Sequence, residues 1–149
     1  MQLNKQILRM AQLGCVFCLL GTVLADRPAV DENAELVSYA QDVYRRHGIN
    51  IARSDIELKV GETWGRVLII KLVSRTTTLS DDLLQAFLVG GAVSQHAKSP
   101  MDQIVVVAEV EFSNREAMVM RAGGECCENL YNNLMTVDIF TRDCLRMEQ

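Results

Sequence analysis

The sequence predicts an α+β fold in two layers: an antiparallel sheet of about four strands, made of two hairpins, with helices packed on one face. The element order is α-ββ-α-ββ-α. Three observations lead there. Apolar residues recur at helical spacing in two stretches, at strand spacing in two others, and each strand-like stretch is doubled around a short turn. Strand pairs separated by helical segments are the pattern of a sheet with helices segregated to one side.

The first 25 residues stand apart. Lys5 and Arg9 are followed by an uncharged run from Met10 to Ala25. Val23 and Ala25 offer the small residues that signal peptidase reads, so residues 1–25 are expected to be a cleaved secretory leader. The run has 16 residues, short of the about 20 that a spanning helix requires, so no integral membrane span is expected in the mature chain. Cys15 follows Gly14, but Gln12 sits where a lipid-attachment site wants a leucine-like residue, so lipidation is not expected. Residues 26–32, with Pro28 and several charges, form a flexible lead-in. Residues 33–149 then make one α+β domain, a length suited to a single core. The localisation that follows is periplasmic or extracellular.

Removing Lys5 and Arg9 leaves thirteen Lys and Arg against nineteen Asp and Glu, a net charge of −6. No basic run is present to neutralise phosphates, which disfavours nucleic acid as a partner.

Along the mature chain, Asp31 or Asn33 caps a first helix that runs to about His47 and stops at Gly48. Leu36, Ala40, Val43 and His47 mark its apolar stripe, with Val37 and Tyr44 beside it. Ile56, Leu58 and Val60 alternate with Glu57 and Lys59, then "GETWG" turns the chain into an apolar strand from Val67 to Val73. That second strand is apolar on both faces apart from Lys71, so it belongs in the middle of the sheet. Ser80 is the expected N-cap of the second helix, with Asp81 and Asp82 against the positive end of its dipole. Gly90 and Gly91, beside the small Ala92, cost helix propensity, about 1 kcal/mol per glycine; a backbone packing close by is the expected reason for them. "QIVVVAEVEF", "SNRE" and "AMVMRA" form a second hairpin, and Gly123 and Gly124 precede a third helix beginning near Glu125. "TVDIFT", Thr136–Thr141, reads as a strand by composition and as a helix by continuity.

The cysteines are the first candidates for chemistry. Cys126, Cys127 and Cys144 remain after leader removal, an odd number for an oxidising compartment. One unbroken helix from Cys126 to Cys144 would set its ends about 27 Å apart, beyond the reach of a disulfide. A helix ending near Asn132 or Met135 with the chain turning back allows a bridge, and Cys127–Cys144 is the expected pair because Cys127 shares the apolar stripe with Leu130, Tyr131 and Leu134. Cys126 and Cys127 also raise a thiol- or metal-binding alternative with His96, but adjacent cysteines lack the spacing of redox motifs and His47 and His96 stand alone.

Ser94 and His96 lie two apart on a helix and point to different sides, so they do not assemble a hydrolytic pair. Asp81 with Asp82 is accounted for by capping, and Glu109 with Glu111 by the wet face of a strand. Trp64, the only tryptophan, sits at the tip of the first hairpin. It either folds back as a lid on the sheet edge or stays exposed as a binding contact.

The function expected is that of a secreted or periplasmic non-enzymatic binding domain for a protein or small ligand. No catalytic residue, cofactor or metal ligand is assigned. The rival is a small secreted enzyme of hydrolase type, whose site would be assembled from residues far apart in sequence.

Overall fold

The computed structural model describes residues 31–111 and 117–148. The expected leader, residues 26–30 of the lead-in, and Phe112 with the whole "SNRE" of the second turn lie outside them. From Asp31 onward the chain forms one compact α+β unit, a five-stranded mixed sheet with four helices.

Helix α1 spans Glu32–Arg46, with Asp31 accepting from Asn33 N at 3.1 Å as its cap. Glu32 and Glu35 in the first turn and Arg45 and Arg46 in the last complement the helix dipole. Gly48 ends it at φ +76°, a conformation costly for any residue with a Cβ, and Ile49 N returns to Tyr44 O at 3.0 Å. A short 3₁₀ turn, Arg53–Asp55, leads into strand β1 (Ile56–Gly61). Strand β2 (Gly65–Ser74) returns antiparallel, with Gly65 at φ +71° closing the turn. Arg66 N there donates to Asp102 Oδ2 at 2.7 Å.

Helix α2 spans Leu79–His96. Ser80 falls inside its first turn rather than at the cap, and the capping position is Thr78, whose hydroxyl goes to Asp82 instead. Strands β3 (Gln103–Val110) and β4 (Met118–Gly123) form the second hairpin, antiparallel from Gln103↔Gly123 to Ala108↔Met118. Helix α3 is Gly124–Tyr131, and a single turn, α4 (Val137–Ile139), runs into a π turn at Phe140–Cys144. Strand β5 (Arg146–Glu148) adds to β4.

The strand order is β1-β2-β3-β4-β5. Each hairpin is antiparallel as expected, but the two inner strands, β2 and β3, run parallel, from Val67↔Gln103 to Ser74↔Val110. This corrects the all-antiparallel sheet. One helix joins β2 to β3, and a single helix brings the chain back to the end where β2 began. The tail, open between strand and helix in the sequence, is helical from Val137, capped by Thr136 Oγ1 accepting from Ile139 N at 3.4 Å, and the fifth strand comes later.

Register places Ile56, Leu58, Leu68, Ile70, Ile104, Val106, Ala108, Met120 and Ala122 on one face. These residues join Leu36, Ala40, Phe87, Val93, Leu130 and Phe140 of the helical segments in one core. The glycines of α2 are there for closeness: a methyl at Gly91 would overlap the Cys127 carbonyl of α3, and one at Gly90 would meet Ile104 Cγ2 at 2.6 Å. Ser94 binds the same layers together. It accepts from Met101 N at 2.8 Å and donates to Glu128 of α3.

Candidate functional site

The residues singled out by sequence scatter. The bonded sulfurs are those of Cys126 and Cys144, with Cα atoms 6.2 Å apart; the expected Cys127 is instead a free cysteine buried in the core. Stripe membership explains the difference. The residue on the apolar stripe is the one that α2 covers, and its neighbour faces the returning tail. Burial, and then the neighbouring Glu128 charge, push the Cys127 thiol up to about 12. Neither sulfur of the adjacent pair is therefore an accessible thiol. His96 stacks on Tyr39 at 4.0 Å between ring centroids. Among the described residues no group of three or more His, Cys, Asp or Glu side chains is placed to hold a metal. Trp64 is 52 % exposed on the hairpin turn, its ring resting over Gly61 of the same hairpin.

A cavity lies elsewhere, where β1 gives out before β2 does. Pairing between them ends at Ile56↔Ile70, while β2 continues through Lys71–Ser74. The chain that would have flanked those residues turns away as the 3₁₀ turn at Arg53–Asp55. On the far side β3 still pairs with them, from Lys71↔Val107 to Ser74↔Val110. One edge of β2 is thus open over these residues. A cleft of about 480 Å³ fills the gap, between that edge, Asp55 and the loop after α1. The volume lies within the range of about 300–1,000 Å³ typical of ligand sites.

The direction of the backbone follows from two hydrogen bonds. Arg66 O accepts from Asp102 N at 2.9 Å and Ser74 O from Glu111 N at 2.8 Å. Even-numbered residues of β2 therefore turn their backbone groups toward β3, and alternation turns those of Lys71 and Val73 to the open edge. Val73 is 66 % exposed.

The other wall comes from the end of α1 and its loop: Tyr44, Ile49, Asn50 and Ile51. Gln41 Nε2 donates to Ile51 O at 3.0 Å and ties this loop to the helix. Three carboxylates, Asp55, Asp82 and Glu109, line the cleft against one ammonium, Lys71. Asp82 Oδ2 accepts from Thr78 Oγ1 at 2.9 Å and from the buried hydroxyl of Ser74. Tyr44, 3 % exposed, has a hydroxyl with no partner among the described residues. Burial first, and then the negative charge of Asp82, raise its pKa above the ordinary phenol value. The phenol stays protonated and can both donate and accept.

Sequence reading passed over this site. Capping accounts for Asp82 and a wet strand face for Glu109 in the sequence, and neither points to the other until β2, β3 and α2 are in place. The one available signal was the unequal length of the two strand patterns in the first hairpin, three alternating apolar residues against a run of seven. Comparison of the chain with family models, with curated proteins and with solved structures gave no match in any of the three.

Proposed function

We propose that this protein is a secreted or periplasmic, non-enzymatic binding domain whose ligand seats in the cleft beside the open edge of β2. The observation that carries the reading is the buried, unpartnered Tyr44 hydroxyl at a cleft whose other wall is unpaired strand edge. Most buried side-chain polar groups have partners; Tyr44 Oη, Arg66 Nε and Gln85 Nε2 have none among the described residues, and of these only Tyr44 lines the cleft, where a ligand would supply the partner. The hydroxyls of Ser74 and Thr78 are already engaged with Asp82, which suits them to shaping the wall rather than to reacting.

Export is part of the same proposal. Its supports are the leader-like residues 1–25 and the Cys126–Cys144 bridge, a bond that persists in oxidising compartments. Amino-terminal sequencing of the protein from the extracytoplasmic fraction should begin at Asp26.

The binding reading is tested with the mature chain and a fragment library, using ligand-observed NMR. Val73→Trp fills the cleft from an exposed position. Fragments retained by the wild type should be lost by this variant, and their shift changes should centre on Ile49–Ile51 and Lys71–Val73. Equal retention by both proteins would rule the cleft out as the binding site.

A further inference from the structure

We infer that the cleft takes an extended peptide carrying a basic side chain, which adds to the sheet beside β2 in line with β1. This rests on the cleft being the binding site and goes further by naming what enters it.

Two features select a strand over a compact ligand. The first is the ladder. Lys71 and Val73 each turn an N–H and a C=O to the open edge, about 6–7 Å apart along the strand. An extended backbone matches that repeat, and a small molecule does not. The second is position. β1 already pairs with β2 as far as Ile70, and the 3₁₀ turn at Arg53–Asp55 leaves the place of the next strand residues unfilled. A guest strand would continue the line of β1, as in strand-addition complexes, where backbone bonds give affinity and side-chain sites give selectivity.

Charge decides which side chain enters. The cleft holds Asp55, Asp82 and Glu109 against Lys71, a net excess of negative charge. On the helix side, Asp82 receives both hydroxyls through Oδ2, and the protonated Tyr44 hydroxyl is unpartnered. A guest ammonium or guanidinium placed there meets carboxylate and phenol oxygens together. Alternation sets every second guest side chain on this helix side and the others on the opposite face over Val107, which favours an apolar–basic alternation.

The test uses the mature chain and a short N-acetylated, C-amidated peptide of alternating valine and lysine, followed by amide NMR and calorimetry. Binding should shift the Lys71 and Val73 amides and slow their hydrogen exchange. N-methylation of the peptide at alternate residues should weaken binding about tenfold or more, the effect of losing two backbone hydrogen bonds. Val73→Pro, which removes one edge donor, should weaken it by a similar direction, with a thermal melt confirming that the variant folds. The double variant Asp55→Asn with Glu109→Gln leaves the Asp82 contacts of α2 intact and should cost about three- to tenfold. A valine–glutamate peptide binding equally well overturns the charge argument. Lysine amide binding as tightly as the peptide, at the same amides, overturns strand addition while leaving the cleft as the site. Shifts confined to residues away from the cleft, or no binding of the valine–lysine peptide, overturn the inference outright.

Discussion

At Gly91 a methyl group has nowhere to go: a Cβ there would overlap the backbone carbonyl of Cys127, and Tyr131 Cβ lies 3.0 Å from it. The obstacle is backbone, so α2 and α3 must separate to make room. Gly91→Ala should therefore destabilise the fold by about 1–3 kcal/mol, read from urea unfolding midpoints. Gly123→Ala is the control, with nothing within 4 Å of the added carbon, and should stay within about 0.5 kcal/mol of wild type. The same contact buries Cys127. Its thiol should resist iodoacetamide at neutral pH in the native protein and react once the chain unfolds. The pH dependence has a definite sign. The folded thiol is pushed up to about 12, against an unfolded value of about 8.5, so the folded state holds its proton more tightly. Stability from this group is complete below about pH 8.5 and declines as pH rises toward the folded value. Tyr44, raised in the same direction, adds to the alkaline loss. A flat denaturation midpoint across this alkaline range would contradict the buried assignment of both groups.

Between helix α3 and strand β5 the chain depends on one covalent link. α4 is a single turn, the π turn follows it, and β5 pairs through only three residues, Arg146, Met147 and Glu148. The bridge from Cys126 to Cys144 closes a loop of separation 18, worth about 3 kcal/mol on the chain-entropy account. Reduction, or Cys126→Ser, should release β5 and speed hydrogen exchange of the amides it shares with β4, while those of α2 stay protected. Cys127→Ala should leave the bridge intact and cost core packing instead. Faster β5 exchange in Cys127→Ala than in Cys126→Ser would reverse the pairing. At this scale the sequence was legible in its local patterns and illegible in its choices between neighbours. Helical spacing located α1 and α2, and alternation located both hairpins, because period reports which side of an element is covered. Period does not report which of two adjacent cysteines a distant segment will reach. Nor did β-branched composition decide Thr136–Thr141, where Thr136 capping and Thr141 Oγ1 donating to Val137 O at 2.9 Å hold helical turns. The parallel β2–β3 pair was readable in principle, since one helix between two strands returns the chain to its starting end. The cleft was not, because Tyr44, Asp55, Asp82 and Glu109 come from four segments that only the finished sheet brings together.

For the molecule as a whole, the export reading makes a demand on folding: the domain must stand without its first 25 residues. The structure offers grounds for it. Residues from Asp31 form a compact unit of their own, and every described member of the core falls between Leu36 and Leu145. That core joins three helices to all of the first four strands, and Glu32 clips the start of α1 to Arg66 of β2 at 3.2 Å and to Lys98 N at 3.2 Å. The Arg66 guanidinium, first among the causes, lowers the Glu32 pKa, so this clip works above the ordinary carboxylate range and weakens as pH falls through the lowered value. A chain spanning Asp26–Gln149, produced oxidised, should therefore unfold in one cooperative step, with coincident transitions by far-ultraviolet dichroism and by Trp64 fluorescence. A chain beginning at Val37 lacks the Glu32 clip, the Asp31 cap and the first core residue, Leu36, and should melt lower, by more than the about 1 kcal/mol that the cap alone contributes. If the Asp26 chain instead showed a broad, non-coincident transition while the 149-residue chain unfolded cooperatively, the first segment would be part of the folding unit. Its removal at export would then be incompatible with the domain proposed to bind in the cleft.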